Sequence, residues 1–415
     1  MSGSTFMTQA IATIMARMKT FTGNDIADNM LNKAMKYLDV EITKTVSEMK
    51  AEEKKGHTQT FPSATALEYL YTNALLSRTP SGNRAKATDY LVSLLKKEQK
   101  TMSMFAKAMA AIVLDSHGDS RKAKTYLKSI VEHTVCTEAA GRYFDSFRAV
   151  STWRDYKIPT QTMAIEALCK VGDDNGKYAT TIAEMQRWLL QEKRTQTWDT
   201  PISSIDAINA FLTPIKGRQS PLAANSTAAL FTIDGTQLDM PKATAGMGYQ
   251  KTTMTYENQR KLTATKTSQG SSWASVYAQY MQTVTDIADS GEGITIKREI
   301  IIPEGGLKVG SRVKTRITID ALRDLDFVEI ADRRAACMEP IQQLSGYHNG
   351  AYVAPKDNAT YYYFDRMKKG RHVIETEYFI DREGKYHSGT CTAQCAYAPE
   401  FRATAGGISV EVGNK

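Results

Sequence analysis

The chain has 415 residues, a formal net charge of +8 at pH 7, and a composition that is 42% hydrophobic and 24% charged. This length predicts two or three domains, and the composition is ordinary for a globular protein. No apolar run approaches the about 20 residues of a membrane-spanning helix. The N-terminus has neither the charged start nor the apolar stretch of a signal peptide. We therefore expect no transmembrane segment, and either a cytoplasmic protein or a fragment of a longer one.

The positive charge is spread along the chain rather than concentrated. Four basic doublets, Lys54-Lys55, Lys96-Lys97, Arg333-Arg334 and Lys368-Lys369, lie far apart in the sequence. A surface that follows a phosphate backbone requires a stripe of basic residues on one face. We therefore expect a solvated basic surface and no nucleic-acid partner.

Residues 5–215 have helical periodicity. A first apolar stripe runs through Met7, Ile11, Ile14 and Met18. Helices rich in small residues then alternate with more charged helices, at residues 65–76 and 85–97, 104–114 and 121–133, 162–168 and 182–192, and finally 204–212. This alternation is typical of stacked helical hairpins and predicts an α/α toroid or a solenoid, with one helix set facing inward and the other facing solvent.

The periodicity changes after Gly, Pro, Ser and Asn accumulate at residues 214–224. Residues then alternate with a period of two, which predicts strands at 230–235, 262–267, 294–302 and 313–319, and an aromatic-rich strand with one buried face at 273–280. Strands that follow one another without helices predict antiparallel sandwiches. The predicted fold class is therefore multidomain α and β, with an α/α toroid of helical hairpins followed by antiparallel β-sandwich domains.

The last ~95 residues give the clearest strand pattern. We predict strands within residues 324–340, 361–370, 396–401 and 407–412. The run Tyr361-Tyr362-Tyr363-Phe364 is expected to alternate between core and surface along a strand. Core packing is the favoured interpretation, and an exposed patch that binds a partner is the alternative.

Five cysteines occur in the sequence. Cys136 and Cys169 lie in helical patterns, where small buried thiols are common. Cys391 and Cys395 are four residues apart in a strand pattern and are expected to point to one face. No further ligands stand at a spacing suited to zinc. The sequence leaves open one disulfide among Cys337, Cys391 and Cys395.

Residues that invite a functional interpretation each have a more ordinary one. Trp188 and Trp198 are expected to pack within the helical stack rather than bind a ligand. Asp173-Asp174, flanked by Gly172 and Gly176, is expected to form a turn and a helix N-cap rather than a metal site. The six histidines are isolated and no nucleophile elbow is present. We therefore predict no catalytic, cofactor-binding or metal-binding residues, and no cofactor.

Three stretches carry a resemblance to the C-terminal part of the bacterial, Bacteroides-type alpha-2-macroglobulin family. Residues 156–168, 188–200 and 205–211 resemble the late helices of the family's thioester-type α/α-toroid domain. Residues 262–280 look like the CUB-type β segment that follows it, and the terminal strands look like the last macroglobulin-like sandwich. The resemblance implies a toroid at 1–215, a CUB-like segment at 216–290 and a macroglobulin-like domain at 291–415, and it leaves open whether the toroid is complete at its N-terminus.

The resemblance also implies a function. Members of the family trap proteases in the periplasm or at the outer membrane and cell surface, so the expected partners are proteases, through the full-length protein, and other domains of the same parent chain. A signal or lipid anchor is then expected upstream. Thioester-bearing members use Cys-x-Glu-Gln, and no cysteine here is followed by that pattern. Cys136 is followed by Thr, Glu and Ala, so it has the Glu but lacks the Gln. We therefore expect a non-catalytic, thioester-free portion of a protease inhibitor, and the sequence leaves open whether a thioester lies upstream of Met1 or the protein lacks one.

Two other classes of protein remain to be weighed. An α/α-toroid carbohydrate-active enzyme, either a hydrolase or a lyase with an accessory β-sandwich, requires paired carboxylates at the toroid mouth. Its candidates are Glu68, Glu166 and Asp206, which stand among Ala, Leu and Ile. A polysaccharide- or surface-binding module requires an exposed aromatic platform instead.

Overall fold

A computed structural model describes residues 4–23, 25–59, 61–97, 102–138, 140–144, 157–172, 176–193, 198, 200–218, 229–242, 249–255, 260–267, 272 and 274–413. These residues divide into two compact units, the first ending at Ala274 and the second beginning at Ser275. Helices dominate the first unit and antiparallel strands the second. Among the described residues, no helix combines the length and the apolar character needed to cross a membrane.

The first unit contains nine α-helices in its described part. They are α1 (Thr5–Thr22), α2 (Asp28–Lys54), α3 (Ala64–Leu75), α4 (Asn83–Lys96), α5 (Met104–Ser116), α6 (Ser120–Glu132), α7 (Lys157–Val171), α8 (Ala179–Gln191) and α9 (Pro201–Leu212). From α3 onward, each helix overlaps a helix predicted from the sequence. The apolar and small-residue spacing therefore located these elements correctly.

Side-chain caps explain where several helices begin. The hydroxyls of Ser63, Ser103 and Thr200 accept hydrogen bonds from the backbone N–H three residues later, at the starts of α3, α5 and α9. Asp119 does the same for α6. Each cap satisfies one of the N–H groups that the first helical turn leaves without a partner, and is worth about 1 kcal/mol.

The odd-numbered helices form a closed series. Helix α1 contacts α3, α3 contacts α5, α5 contacts α7, α7 contacts α9, and α9 contacts α1. Helices α5 and α7 are buried along most of their length, whereas α6 buries only Ala123, Tyr126, Leu127 and Ile130. The small residues of the inner helices allow this close packing, because Ala and Thr let helix axes approach one another.

The apolar stripe identified on α1 does not coincide with the buried face of the helix. Met7, Ile11 and Met18 are exposed and Ile14 is half-buried, whereas the buried face carries Gln9, Ala12, Thr13, Ala16 and Arg17. Hydrophobicity alone misassigned this face, because the inner side of α1 faces the crowded and polar centre of the helix series, where small and hydrogen-bonding side chains fit.

Residues 5–215 are also not entirely helical. Between α6 and α7 the chain forms a hairpin of β1 (Val135–Thr137) and β2 (Gly141–Tyr143). This hairpin packs on α8. Cys136, expected on a helix and buried, therefore lies on a strand and is exposed. A β-branched start and a tight Gly141 turn favour the hairpin over a further helical turn.

A small sheet follows the helices within the first unit. It orders β4 (Thr236–Gln237), β3 (Leu230–Ile233) and β5 (Leu262–Thr265). Asp234 and Gly235 both have positive φ, which suits the two-residue turn between β3 and β4. The strand predicted at 273–280 is wrong in its described part: residues 274–280 have no regular structure, and Tyr277 and Tyr280 are exposed. Trp273 lies outside the described residues.

The second unit is built from thirteen strands in its described part. They are β6 (Ser290–Glu292), β7 (Ile294–Ile301), β8 (Arg312–Ala321), β9 (Leu325–Arg333), β10 (Met338–Pro340), β11 (Gly346–His348), β12 (Ala351–Pro355), β13 (Ala359–Met367), β14 (Gly370–Ile380), β15 (Gly384–His387), β16 (Cys391–Cys395), β17 (Ala398–Ala405) and β18 (Ser409–Val412). The predicted strands at 294–302, 313–319, 324–340, 361–370, 396–401 and 407–412 all overlap members of this set.

These strands form two larger sheets and one pair. One sheet has the order β10-β14-β8-β7, the other has the order β11-β12-β13-β9-β16-β17-β6, and β15 pairs with β18. All of these strand pairings are antiparallel. Inward side chains of both larger sheets share a hydrophobic core that contains Ile296, Ile317, Ile330 and Tyr362. A second cluster packs Val313, Tyr378 and Ile380 of the four-stranded sheet against Val410 and Val412 of β18. Burying each such side chain stabilises the unit by about 1.5–3 kcal/mol.

Candidate functional site

A buried ion cluster occupies the centre of the helix series. The guanidinium of Arg17 on α1 lies 3.1 Å from Oε2 of Glu166 on α7 and also binds Oδ1 of Asp206 on α9. Its Nε donates to the hydroxyl of Tyr71 on α3 at 3.1 Å. One side chain thus ties together four of the five inner helices, including the pair α1 and α9 that closes the series.

Every oxygen of the Glu166 carboxylate has a donor. Tyr71 donates to Oε1 at 2.6 Å, and Asn209 on α9 donates to Oε2 at 2.7 Å, in addition to Arg17. Glu166 has no solvent exposure. A carboxylate held this way accepts hydrogen bonds at both oxygens and has no open approach for a substrate or a water molecule.

The pKa values of Arg17 and Asp206 are both raised, for different reasons. Burial alone would lower the pKa of Arg17, but Tyr71, Glu166 and Asp206 together raise it well above its ordinary value. Burial raises the pKa of Asp206, and the neighbouring Arg17 only partly offsets that rise. Arg17 is therefore permanently charged, and it is the group that keeps two buried carboxyls compatible with the fold.

Three carboxylates were considered as catalytic groups of a hydrolase or lyase, and the structure brings two of them together. Glu166 and Asp206 share Arg17, whereas Glu68 on α3 accepts from Thr13 at 3.4 Å, further along α1. A glycoside hydrolase requires one carboxyl that delivers a proton and a second that meets the sugar or a water molecule. Glu166 and Asp206 instead neutralise one guanidinium, which is the arrangement of a structural tie.

A second ion cluster joins the outer helices to α3. Asp39 on α2 accepts from Tyr69 at 2.7 Å, from Arg78 at 2.7 and 3.0 Å, and from Arg84 on α4 at 2.7 Å. Burial by itself would raise the pKa of Asp39, but the hydrogen bonds from Arg78, Tyr69 and Arg84 lower it below its ordinary value of 3.8. Asp39 is therefore ionised at neutral pH and holds three elements together.

Both tryptophans considered from the sequence are packing residues, as predicted. Trp188 is 2% exposed and stacks on Tyr143 of the hairpin, with ring centroids 5.7 Å apart. Trp198 packs against Phe211, and its indole N–H donates to the carbonyl of Leu189 at 2.8 Å. The described contacts of both rings are packing contacts within the helical unit.

An arginine inside the second unit links its two larger sheets. Arg298 on β7 lies 2.9 Å from Oδ1 of Asp332 on β9 and donates to Ser388 Oγ and to the carbonyls of Gly389 and Gly406 at 2.7–2.8 Å. Both charged side chains are 2% exposed. Burial raises the pKa of Asp332, and Arg298 opposes that rise.

Tyrosines line part of the outer face of the seven-stranded sheet. Tyr347, Tyr352 and Tyr363 are direct cross-strand neighbours on β11, β12 and β13, and all three are exposed. Tyr362 and Phe364, which flank Tyr363 along β13, point into the core. The predicted alternation of core and surface through Tyr361–Phe364 is therefore confirmed.

All five cysteines are free thiols. The prediction that Cys391 and Cys395 share a face is confirmed, because both point into the core from β16. Burial raises the pKa of Cys169 and of Cys395 to about 12 and also raises that of Cys391. These thiols stay protonated at neutral pH and are poor nucleophiles.

No metal centre is found within the described part of the chain, where no three His, Cys, Asp or Glu side chains lie close enough to hold an ion. The pair Asp173-Asp174, which we expect to form a turn and a helix N-cap, lies outside the described residues.

The sequence analysis did not single out Arg17, Arg298 or Asp332, although the sequence contains a signal for Arg298 and Asp332. Arg298 occupies an inward position in the alternating strand that begins Ile294-Thr-Ile296, and Asp332 does so in the strand after Val328 and Ile330. A charged residue at a core position of each of two strands points to a buried pair. Arg17 had no comparable signal, since the apolar pattern of α1 indicated the opposite face.

The geometry defines a protein of two units: a helical unit whose central charged groups bind one another, and a unit of antiparallel strands whose two larger sheets share a hydrophobic core. Residues 282–400 match the family described as the bacterial alpha-2-macroglobulin MG10 domain. That segment begins ahead of β6 and ends within β17, so it covers most of both larger sheets.

Solved structures of bacterial alpha-2-macroglobulins align with nearly the whole chain at low identity. Trypsin-activated alpha-2-macroglobulin from Escherichia coli is 10% identical over 97% of this chain and 27% of its own, with a TM-score of 0.40. The Escherichia coli protein activated by porcine elastase is 11% identical over 94% and 34%, also with a TM-score of 0.40. The methylamine-reacted Salmonella protein is 13% identical over 99% and 26%, with a TM-score of 0.31.

The chain spans about a quarter to a third of the length of these macroglobulins. No curated protein sequence matches it significantly.

Proposed function

We propose that this chain is the C-terminal, non-catalytic part of a bacterial alpha-2-macroglobulin-like protein that traps proteases at the cell envelope. The observation that carries the proposal is the match of residues 282–400 to the MG10 domain, which coincides with the two sheets around one core. The partners are proteases, engaged by the full-length protein, and the other domains of the parent chain. The parent protein is periplasmic or attached to the outer membrane or cell surface through a signal or lipid anchor.

The domain division that accompanies this proposal has three parts. The closed series of helices supports an α/α toroid at 1–215. The three-stranded sheet of β3, β4 and β5 supports a CUB-like β segment at 216–290. The two larger sheets with their shared core support a macroglobulin-like β-sandwich at 291–415. The chain then contributes scaffold and docking surfaces rather than chemistry.

Capture by this portion is non-covalent in the proposal. A thioester joins a Cys thiol to a Gln side chain within Cys-x-Glu-Gln, and that sequence does not occur here. The closest cysteine, Cys136, is exposed on a hairpin strand and is followed by Thr137, Glu138, Ala139 and Ala140. It supplies a thiol but has no Gln at the required spacing.

The two alternative classes have weaker support. A toroid hydrolase or lyase is not favoured, because Glu166 has no exposure and shares Arg17 with Asp206. A polysaccharide-binding platform requires rings that lie flat on one surface. The rings of Tyr347 and Tyr352 meet at 68°, so these tyrosines form a ridged surface rather than a flat one.

The test uses the full-length protein that contains this sequence, mixed with elastase or trypsin. We expect cleavage of large protein substrates to fall while cleavage of a small chromogenic peptide continues, since a trapped protease still admits small substrates. The 415-residue chain by itself should form no methylamine-sensitive covalent adduct with the protease, as judged by denaturing electrophoresis. Unchanged cleavage of large substrates by protease mixed with the full-length protein would contradict the proposal, and a methylamine-sensitive covalent adduct on the 415-residue chain would contradict its non-covalent part.

The enzyme alternative has its own readout. The 415-residue chain is incubated with a panel of soluble polysaccharides and the products are examined by mass spectrometry. Shortened or unsaturated sugars that disappear in the Glu166→Gln variant, with the fold retained by circular dichroism, would favour the hydrolase or lyase instead.

A further inference from the structure

The second unit begins with a run of residues that has no regular structure. Residues 275–281, here called the 275–281 segment, follow Ala274, where the first unit ends, and precede a 3₁₀ turn at Val284–Asp286 and strand β6. Every residue of the segment is exposed, and the exposed fraction reaches 74% at Tyr280 and 99% at Met281. Within the described part of the chain, no backbone group of the segment takes part in a hydrogen bond.

The chain is held in place again directly after this segment. The side-chain amide of Gln282 donates to the carbonyl of Asp286 at 2.7 Å, and the N–H of Gly407 donates to the carbonyl of Val284 at 3.3 Å. Gly407 lies so close to Val284 that an added Cβ would be 2.5 Å from its Cγ1. The anchored part of the second unit therefore begins at Gln282, and a break within the 275–281 segment would leave strands β6–β18 in one piece.

The amino acids of the segment suit one class of endopeptidase. Its sequence, Ser-Val-Tyr-Ala-Gln-Tyr-Met, has two aromatic side chains and contains no proline and no charge. An exposed stretch without regular structure is a preferred place for proteolytic cleavage, and the S1 pocket of the protease selects the side chain that precedes the cut bond. A hydrophobic S1 pocket accepts Tyr277 or Tyr280. An acidic S1 pocket, which requires Lys or Arg, finds neither between residues 267 and 296.

Other exposed aromatic residues of the second unit differ from these two in their backbone. Tyr352 and Tyr363 are exposed as well, but they stand opposite each other in the paired strands β12 and β13. A protease reaches such a bond after the sheet has opened locally, which costs free energy. The loop at 341–345 is also exposed, but it contains no aromatic residue. Tyr277 and Tyr280 thus combine an exposed ring with a backbone that requires no opening.

We propose that the 275–281 segment is a substrate site for an endopeptidase with a hydrophobic S1 pocket, which cuts the chain after Tyr277 or Tyr280. The reaction is hydrolysis: the C–N bond that follows the tyrosine breaks, and water supplies a hydroxyl to the carbonyl carbon and a proton to the departing amine. Cleavage removes the covalent link between helices α1–α9 and strands β6–β18 without cutting any of these elements. The inference does not depend on the proposed function, because it rests on exposure and hydrogen bonding at the start of the second unit.

The experiment uses chymotrypsin as the probe and the 415-residue chain as the substrate. Intact-mass spectrometry and N-terminal sequencing locate the cuts, and new N-termini are expected at Ala278 and Met281. The reference is a free peptide with the sequence of residues 274–284. We expect kcat/KM for the segment in the chain to lie within about tenfold of that for the peptide, because no structure has to open first. The bonds after Tyr352 and Tyr363 should be cut at least about a thousandfold more slowly, because the sheet must open before they enter the protease.

Variants of the protein test the choice of side chain. A triple variant, Tyr277→Ser with Tyr280→Ser and Met281→Ser, should slow cleavage within the segment by about a hundredfold, because the S1 pocket loses its apolar occupant. The matched control, Tyr352→Ser with Tyr363→Ser, removes exposed tyrosines from paired strands and should leave cleavage of the segment unchanged. Circular dichroism establishes that both variants are folded. Hydrogen exchange in β6–β18 should be the same before and after cleavage of the wild-type chain.

Three results would overturn the proposal. The first is a lack of new N-termini at Ala278 and Met281, or a rate more than about tenfold below that of the free peptide, either of which would show that the segment is held. The second is equal cleavage within the segment in the wild-type chain and in the triple variant. The third is a loss of exchange protection in β6–β18 after the cut, which would make the segment part of the fold. Each readout uses the 415-residue chain alone and is therefore separate from the test of protease trapping by the full-length protein.

Discussion

The guanidinium of Arg298 lies 2.9 Å from the carboxylate of Asp332, and this pair joins strand β7 of one sheet to strand β9 of the other. Both groups are almost completely buried, and the same guanidinium donates to Ser388 and to two backbone carbonyls. The pair therefore adds a directional polar contact between the two sheets, which hydrophobic packing alone does not provide.

Replacing Arg298 with Met should destabilise the second unit by about 3–5 kcal/mol, because Asp332 would remain buried without its partner. Urea unfolding followed by far-UV circular dichroism, with hydrogen exchange of residues 275–413, measures the loss. Arg371→Met is the control, since Arg371 pairs with Asp320 on an exposed surface and should change stability little. Equal effects of the two substitutions would contradict the structural role of Arg298.

Replacing Arg17 with Met should destabilise the helical unit by about 3–5 kcal/mol, for the same reason. All four tryptophans of the sequence precede Ser275, so tryptophan fluorescence monitors this unit selectively. The variant should also depend on pH. The pKa of Asp206 is already raised by burial, and without Arg17 it rises further.

A carboxyl whose folded-state pKa exceeds its unfolded value stabilises the fold at low pH and loses that effect as pH rises through the folded value. The stability deficit of Arg17→Met relative to wild type should therefore be smaller at acidic pH than at pH 7. Lys128→Met, at an exposed position of α6, serves as control. A deficit that is the same at every pH would show that lost packing, not unpaired charge, is responsible.

Asp39 should make the helical unit sensitive to acid. Its pKa lies below the ordinary value of 3.8, so its stabilisation is present above about pH 4 and is lost as pH falls through the folded-state value. Asp39→Asn should cost about 1–3 kcal/mol at pH 7 and should flatten the decline of the urea midpoint between neutral and acidic pH. A variant whose pH profile parallels that of wild type would contradict this assignment.

Gly141 permits the hairpin to pack on α8. Its φ is +77°, and an added Cβ would lie 2.5 Å from the carbonyl oxygen of Glu184. Gly118 has a similar φ of +80° with open space around it. Gly118→Ala should cost about 1 kcal/mol from backbone strain alone, whereas Gly141→Ala should cost about 3 kcal/mol because the hairpin must also move.

Tryptophan fluorescence is well suited to this comparison, since Trp188 stacks on Tyr143 next to Gly141. A shifted emission maximum is expected for Gly141→Ala and not for Gly118→Ala. Equal losses of stability in the two variants would mean that the contact with Glu184 is relieved without cost.

The sequence located most regular elements because their signals are local. Helical patterns rich in small residues predicted α3, α5 and α9, and period-two alternation predicted β7, β8 and β13. The same reasoning was wrong for residues 274–280, where aromatic residues suggested a strand but the segment pairs with no described strand. An aromatic-rich segment forms a strand when neighbouring strands pair with it, and local composition does not contain that information.

By itself, the sequence determined the order of helices and strands, the alternation through Tyr361–Phe364 and the lack of a Cys-x-Glu-Gln motif. The tertiary structure decided which face of α1 is buried, and that Arg17, Glu166 and Asp206 meet although up to 189 positions separate them. The reason is physical: periodicity reports that a helix has two faces, whereas the neighbours that surround it decide which face is enclosed. In α1 the enclosed face carries Gln9, Thr13 and Arg17, and most of the apolar stripe is left outside.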